Sequence, residues 1–459
     1  MFMIGCGSVK NILEKRFGLT ENNTNIRTEI LAGLTTFMSM SYIIFLNPTV
    51  LSQTGMDYNA VYAATIIASV IATLVMAFYA NVPYALSTGI GLGSLFTYTL
   101  CGSMGFTWGQ SLAIVYISGI LNFLVTITSL RKKIVTAIPL FMQNAITVGI
   151  GLFITYVGLV NAGIIRFGAD SVNNGFATNV LPQLANLKEN SVLLAIIGLI
   201  ITIILLLRKS KGAYLKGIII TTIIGIPLGV TTLPNFSNYT LLPSIAPTFM
   251  KIDFAGLFNI KSGILVAFMT IFSMCISDLF DSVGVFIGTG KKAGLFKIDK
   301  HGNLPKKLER AMIADSCGTI IGSIFGTANT TTYLESSVGI EAGGRTGLTS
   351  LTVAVLFALS LFFSPIIACV PMAAIAPILI LIGLSMLESV SEIDWKDLCI
   401  AIPSFFTIIV MPFAYSITSG IEFGFIFYAL VSIMSKKAKD VSPIIYIFAI
   451  LFLLKYIVA

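Results

Sequence analysis

The chain has 459 residues, 56% of them hydrophobic and only 10% charged, with a mean hydropathy of +0.95. Soluble domains carry about 25% charged residues, so this composition excludes a soluble globular fold and implies a polytopic membrane protein. The net charge of +8 does not point to nucleic acid, because the basic residues form short clusters between apolar runs and no stripe on one domain.

Residues 1–29 read as a cytoplasmic segment. Their charges follow a short apolar stretch without a small-residue cleavage site, and Val9, Ile12, Leu13 and Phe17 fall at the spacing of a short surface helix. Apolar runs of the length a bilayer requires then follow at 30–48, 59–80, 84–101, 109–130, 135–160, 191–207 and 213–231. A second set follows at 262–287, 309–325, 328–341, 346–368, 371–388, 397–415 and 418–435. The reading is seven plus seven transmembrane segments, one repeat over 30–231 and another over 262–435. A last apolar run, 443–458, is short for a crossing. The six cysteines, Cys6, Cys101, Cys275, Cys317, Cys369 and Cys399, lack metal or disulfide spacing and read as small buried hydrophobes.

The distribution of basic residues tests this count, because one missed span would invert every later loop. With a cytoplasmic N-terminus, the inner segments hold 23 lysines and arginines. They include the cluster 131–133, Arg208 to Lys216, the loop 291–310, Arg345 and Lys396. The outer loops hold four, Arg166, Lys188, Lys251 and Lys261. So strong a bias is hard to reach with a wrong count.

The third span of each set is interrupted. "NVPYALSTGIGLGS" at 81–94 and "GTANTTTYLESSVGIEAGGRTG" at 326–347 occupy matching places. Such a pair marks the binding site of transporters built from inverted repeats. An odd number of spans per repeat inverts the second, so the broken segments approach the midplane from opposite faces. Thr327, Asn329, Thr330, Thr331 and Thr332 suit a short strand leading into a half-helix, able to pair antiparallel with Val82 to Thr88. The expected fold is therefore an all-α polytopic protein of 14 segments with two half-strand, half-helix elements, the third and tenth, at mid-membrane.

The acids within apolar runs carry the chemistry. Glu335 lies in the second broken segment, where a carboxylate is costly and normally faces a polar cavity; its other reading is a cap near water. Asp278 and Asp281, at i and i+3 on the eighth span, share one helical face, so one of them requires a proton or a partner. Asp278 reads as a binding group, and Asp281 as a hydrogen-bonding group that holds a neighbouring broken segment. "GIGLG" at 89–93 is no dinucleotide loop, since it follows a proline-containing entry, lacks the third glycine and lies in a membrane segment. The single histidine, His301, stands in a basic loop, which excludes a Ser–His intramembrane protease, and no nucleophile with a base suggests an enzyme.

The chain resembles the nucleobase–cation symporters, in particular the azaguanine-type (AzgA-like) purine permeases. The resemblance runs through "RTEILAGLTTFMSMSYIIFLNP" (27–48), "QNAITVGIGLFITYVGLVNAGI" (143–164), "DLFDSVGVFIG" (278–288), "ADSCGTIIGSIFGTANTTTYLESSVGIEAGGRTGLT" (314–349) and "IPSFFTIIVMPFAYSITSGIEFGFI" (402–426). It implies a core domain from spans 1–4 and 8–11 and a gate domain from spans 5–7 and 12–14. The substrate then binds between the two broken segments, with Asp278 and Glu335 as the carboxylates that face it. It also implies purine uptake with protons, in a plasma-membrane protein that often works as a dimer. One departure stands out. Where the family reads like APGMGLNAYF, this chain has "STGIGLGSLF" at 87–96, with Thr88 for the proline and Gly93 for the asparagine. The asparagine's part in recognition then falls to Ser94, Ser87 or Thr88.

The expectation is an importer of guanine, hypoxanthine or adenine that uses the proton as coupling ion and has no other cofactor, metal or nucleic-acid partner. Asp278, Glu335, Thr88, Ser94, Thr331 and Thr332 would bind the base, and Asp281, Asp278 and Glu335 would serve coupling or structure. An anion carrier on the same architecture is disfavoured by two acids. A non-transporting purine receptor is the other alternative.

Overall fold

The computed structural model describes residues 11–128, 138–171, 177–210, 212–232, 242–258, 264–292, 306–363 and 369–458. Cys6, Val9, the basic cluster 131–133, Lys211, Lys261 and His301 lie outside them. Residues 11–17 are helical, and Phe17 and Leu19 bury against Leu348.

The protein is mostly helical. The first half runs α1 (Ile26–Met40), α2 (Ile43–Leu51), α3 (Tyr58–Val75), β1 (Leu86–Thr88), α4 (Ile90–Ser94), α5 (Trp108–Ile127), α6 (Leu140–Asn161), β2 (Ile165–Ser171), β3 (Ala177–Leu184), α7 (Asn190–Leu207) and α8 (Ala213–Gly225). The second runs α9 (Phe254–Phe258), α10 (Ile264–Lys292), α11 (Lys306–Phe325), β4 (Thr330–Thr332), α12 (Ser336–Glu341), α13 (Gly347–Ser360), α14 (Met372–Met386), α15 (Leu398–Phe413), α16 (Ile417–Met434) and α17 (Pro443–Val458). Wider π-helical turns continue α3 over Met76–Ala80 and α4 over Leu95–Ser103. Among the described residues seven helical stretches are long and apolar enough to cross a membrane, and shorter apolar helices accompany them.

One feature departs from the all-α expectation. The segment after α6 folds into an antiparallel hairpin, with Ile165 opposite Leu184 and Arg166 opposite Gln183. It carries an Arg166–Glu189 ion pair half-exposed at its base. Hairpins need only local alternation and a turn, which a search for long apolar runs passes over.

The helices form two packing groups. In one, α1, α3, α5, α11 and α13 pack on one another and enclose β1 and β4; in the other, α6, α7, α8, α14, α15 and α16 pack together. Without a hydrophobic drive between helices in lipid, close approach relies on small residues. On the α6–α14 seam a Cβ at Gly383 would come within 2.4 Å of Gly151 O and 2.0 Å of Thr155 Oγ1, so only glycine permits that distance. In the other group, a Cβ on Gly347 would strike Ala77 O at 2.1 Å. The C-terminal α17 lies against α10 and α16, with the Phe448 ring 4.0 Å from that of Phe272 and tilted to it. Its 16 residues reach about 24 Å, less than the roughly 30 Å of a hydrocarbon core.

Glu29, fully buried in α1, ties the first group together. Its carboxylate accepts from the backbone N–H groups of Arg345 (2.8 Å), Thr346 (3.3 Å) and Thr349 (3.1 Å) and from Thr349 Oγ1 (2.6 Å). These donors lie at and just before the start of α13, where helical N–H groups lack intrahelical acceptors and a carboxylate meets the positive end of the helix. Leaving them unfilled costs about 1–3 kcal/mol for each buried group. Glu29→Ala should therefore lower the thermal unfolding temperature of the purified protein by several degrees. Glu29→Gln should fall between, because its amide oxygen still accepts.

Candidate functional site

Each broken segment is three residues of strand followed by a helix. β1 and β4 pair antiparallel, with Leu86 opposite Thr332, Ser87 opposite Thr331 and Thr88 opposite Thr330. The ladder extends at both ends, through Gly89 N to Asn329 O (2.9 Å) and Tyr333 N to Ala85 O (3.0 Å). Extended backbone can lie inside a membrane protein only if its polar groups find partners, and here the two segments satisfy each other. Gly89 is required by the approach, since a Cβ there would sit 2.9 Å from Thr331 Oγ1.

Neighbouring helices hold the pair in place. From α3, Thr73 Oγ1 donates to Leu86 O (3.1 Å) and accepts from Leu86 N (3.0 Å), and Ser69 Oγ meets Ser87 Oγ at 2.7 Å. From α11, Asp315 Oδ1 accepts from both Thr332 N and Thr332 Oγ1 at 2.8 Å, while its Oδ2 accepts from Ser282 Oγ at 2.5 Å. Asp315 thus joins α10, α11 and β4. The sequence signal that marks Asp278, an acid inside an apolar span, marks Asp315 equally.

The two acids of α10 have different surroundings. Asp278 is buried, and its Oδ2 accepts from Asn122 Nδ2 (2.8 Å) and Thr319 Oγ1 (3.2 Å), which joins α5, α10 and α11. Asp281, one turn on and only partly buried, accepts from Thr331 Oγ1 at 3.3 Å and lies within electrostatic reach of Glu335. Glu335 precedes α12 and accepts a hydrogen bond from the Tyr42 hydroxyl. The Tyr42 ring stands 5.4 Å from that of Tyr214 on α8 and 6.5 Å from that of Tyr333. Both ion pairs among the described residues are half-exposed, and neither Asp281 nor Glu335 takes part in them.

The hydroxyls expected at the site divide in the same way. Thr331 faces Asp281. Thr332 is held by Asp315. Thr88 Oγ1 lies 3.2 Å from Thr327 Oγ1, in a cluster where Asn47 Nδ2 donates to Thr65 (2.7 Å) and Thr327 (2.9 Å). Ser94 Oγ is buried without a partner among the described residues and lines a narrow cleft with Asn47 and Gly93. Asn329 is the residue the sequence reading placed in the strand and not in the site. Its side chain is fully buried, yet neither Nδ2 nor Oδ1 has a hydrogen-bond partner among the described residues. Thr330 turns toward Gly322 of α11, and Thr332 toward Asp315. By the two-residue alternation of a strand, Asn329 and Thr331 turn to the other side.

Paired discontinuous helices with acids between them define the class, a membrane transporter and not an enzyme. The chain belongs to the family described as Permease family (Xan_ur_permease), which it matches over residues 27–423. It is 38% identical to the adenine permease AdeP of Escherichia coli (strain K12), over 98% of this chain and 97% of the relative. It is also 38% identical to the guanine/hypoxanthine permease PbuO of Bacillus subtilis (strain 168), over 96% and 99%. In fold it is similar to the transmembrane domain of the cyanobacterial bicarbonate transporter BicA, with a TM-score of 0.64 at 15% identity, over 86% of this chain and 97% of that one.

Because Asp315 holds β4 by two hydrogen bonds and α10 by a third, Asp315→Ala should broaden or abolish the monodisperse peak in size-exclusion chromatography. Asp281→Asn, which keeps an acceptor for Thr331, should leave that peak unchanged.

Proposed function

We propose that the protein imports a purine nucleobase together with protons across the plasma membrane, its N-terminus cytoplasmic. In this reading the chain crosses 14 times as two inverted sets of seven, and the α6, α7, α8, α14, α15, α16 group moves as a gate against the group that holds β1 and β4. The observation that carries the reading is the amide of Asn329, buried without a hydrogen-bond partner among the described residues, on the strand face that bears Thr331, the donor to Asp281.

An amide can offer N6–H2 and N7 of adenine an acceptor and a donor at once, and a carboxylate can accept two parallel N–H bonds from a guanine edge. Tyr42, Tyr214 and Tyr333 supply flat faces for the ring. The printed substrates of the relatives, adenine for AdeP and guanine and hypoxanthine for PbuO, support the class of ligand. Asp281 and Glu335 are the acids assigned to the base. Asp278, with Asn122 and Thr319 on one oxygen, is assigned with Asp315 to holding the helices.

Coupling follows from charge. Two like-charged groups in surroundings of low dielectric repel, and among the described residues neither Asp281 nor Glu335 is in an ion pair. A proton on one removes the repulsion and leaves the other free to accept the N–H edge of the base. Loading of proton and base then become linked. An anion site would instead want a neutral or positive pocket, and the two acids disfavour it.

The test is uptake of radiolabelled adenine, guanine and hypoxanthine in cells without purine permeases of their own. Losing a hydrogen bond to a charged group, about 1.5–3 kcal/mol, corresponds to roughly tenfold to a hundredfold in affinity. Asn329→Ala and Asp281→Asn should each raise KM by that order. An acid medium should accelerate uptake, and a protonophore should abolish accumulation. In Glu335→Gln, exchange of base across the membrane should survive while accumulation disappears; full proton-driven uptake in this variant would remove Glu335 from coupling.

A further inference from the structure

A polar cavity lies away from the acids. It has a volume of about 380 Å3 and is lined by Gln53, Thr54, Thr97, Cys101, Thr107 and Trp108, among others. α1 and α2, which with the turns between and after them make up one candidate span over Ile26–Thr54, place Gln53 and Thr54 up to about 40 Å from Ile26. The cavity therefore opens on the face opposite the start of α1, the outer face in the proposed orientation.

The lining is chemically selective. Among the described residues no charged side chain lines it, so it suits a neutral ligand. Thr97 is only 4% exposed, and its Oγ1 has no hydrogen-bond partner among the described residues although it borders the cavity. A buried hydroxyl without a partner is a group that a ligand or water completes. Trp108, with Phe106 beside it, supplies an aromatic face. Uncharged hydrogen-bonding groups with an aromatic wall suit a flat, neutral heterocycle.

The cavity also communicates with the broken segment. Ser94, whose hydroxyl is likewise buried without a partner, lies three residues before Thr97 on the helix that leaves β1. Tyr98, next to Thr97, accepts a hydrogen bond from Asn161 Nδ2 (2.8 Å) at the end of α6, a helix of the other packing group. A ligand resting here would thus touch the element that leads to the acids, at a point where the two groups meet.

We propose that this cavity is an outer binding station for the same neutral heterocycle that the central site takes, filled before the base passes Ser94 toward Asp281 and Glu335. The proposal rests on the nucleobase reading above. Equilibrium dialysis of the purified full chain against radiolabelled hypoxanthine and adenine tests it. Two sites per chain are expected, of which one persists when Asp281→Asn and Glu335→Gln are combined. Thr97→Val, which conserves volume, and Gln53→Ala, at an exposed position, should each weaken that persisting site about fivefold or more. They should raise the KM of uptake while the maximal rate stays the same, a split that a merely structural role would not produce. A single site that vanishes with the two acid variants, or an unchanged KM in Thr97→Val, overturns the proposal and leaves the nucleobase reading standing. Failure of the wild type to bind any purine overturns both.

Discussion

The structure depends on six residues of strand placed where a membrane tolerates almost none. Leu86–Thr88 and Thr330–Thr332 have no helical hydrogen bonds of their own, and their backbone groups would be ruinous in hydrocarbon if each segment stood alone. Each is the other's partner. Pairing them fixes where two chain segments cross, and it forces both half-helices to begin beside that crossing and run away from it. The surrounding acids and hydroxyls follow from the need to hold so short a ladder in register.

That need divides the buried carboxylates between two tasks. Asp315 and Glu29 have their oxygens filled by backbone N–H groups and hydroxyls, Asp315 at β4 and Glu29 at the start of α13. Asp278 is bridged to α5 and α11 through Oδ2, while its buried Oδ1 has no hydrogen-bond partner among the described residues. Among the described residues the side-chain donors to Asp281 and Glu335 are fewer, a threonine and a tyrosine hydroxyl respectively. A carboxylate already surrounded by fixed donors has little to offer a ligand, whereas one with vacant acceptor positions can exchange a protein or solvent partner for a substrate. The same logic separates Thr332 from Thr331, and Thr88 from Asn329.

Departures from the resemblance are compensated within the packing. Gly93 leaves room that Asn47 Oδ1 approaches, within 3.4 Å of where a Cβ would stand. An amide is thus present near that place from another helix, although its nitrogen is engaged by Thr65 and Thr327. An amide with neither group partnered among the described residues is Asn329, on the second broken segment and not the first.

Membrane insertion, the two broken segments, their pairing and the acids within apolar runs were legible in the sequence. Hydropathy, glycine and threonine placement and the cost of intramembrane charge are local properties, and the chain displays them residue by residue. The hairpin 165–184 was not legible from apolar length, since short alternating strands carry no such signal. Nor could spacing along α10 assign Asp278 and Asp281, which share a helical face at i and i+3. Only the tertiary structure decided that Asn122 and Thr319 meet one oxygen of the first while, among the described residues, Thr331 donates to the second, because donors to a carboxylate come from other helices whose rotation and depth no single segment encodes. By itself the sequence determined that acids would be buried at broken helices; packing determined which of them were left open.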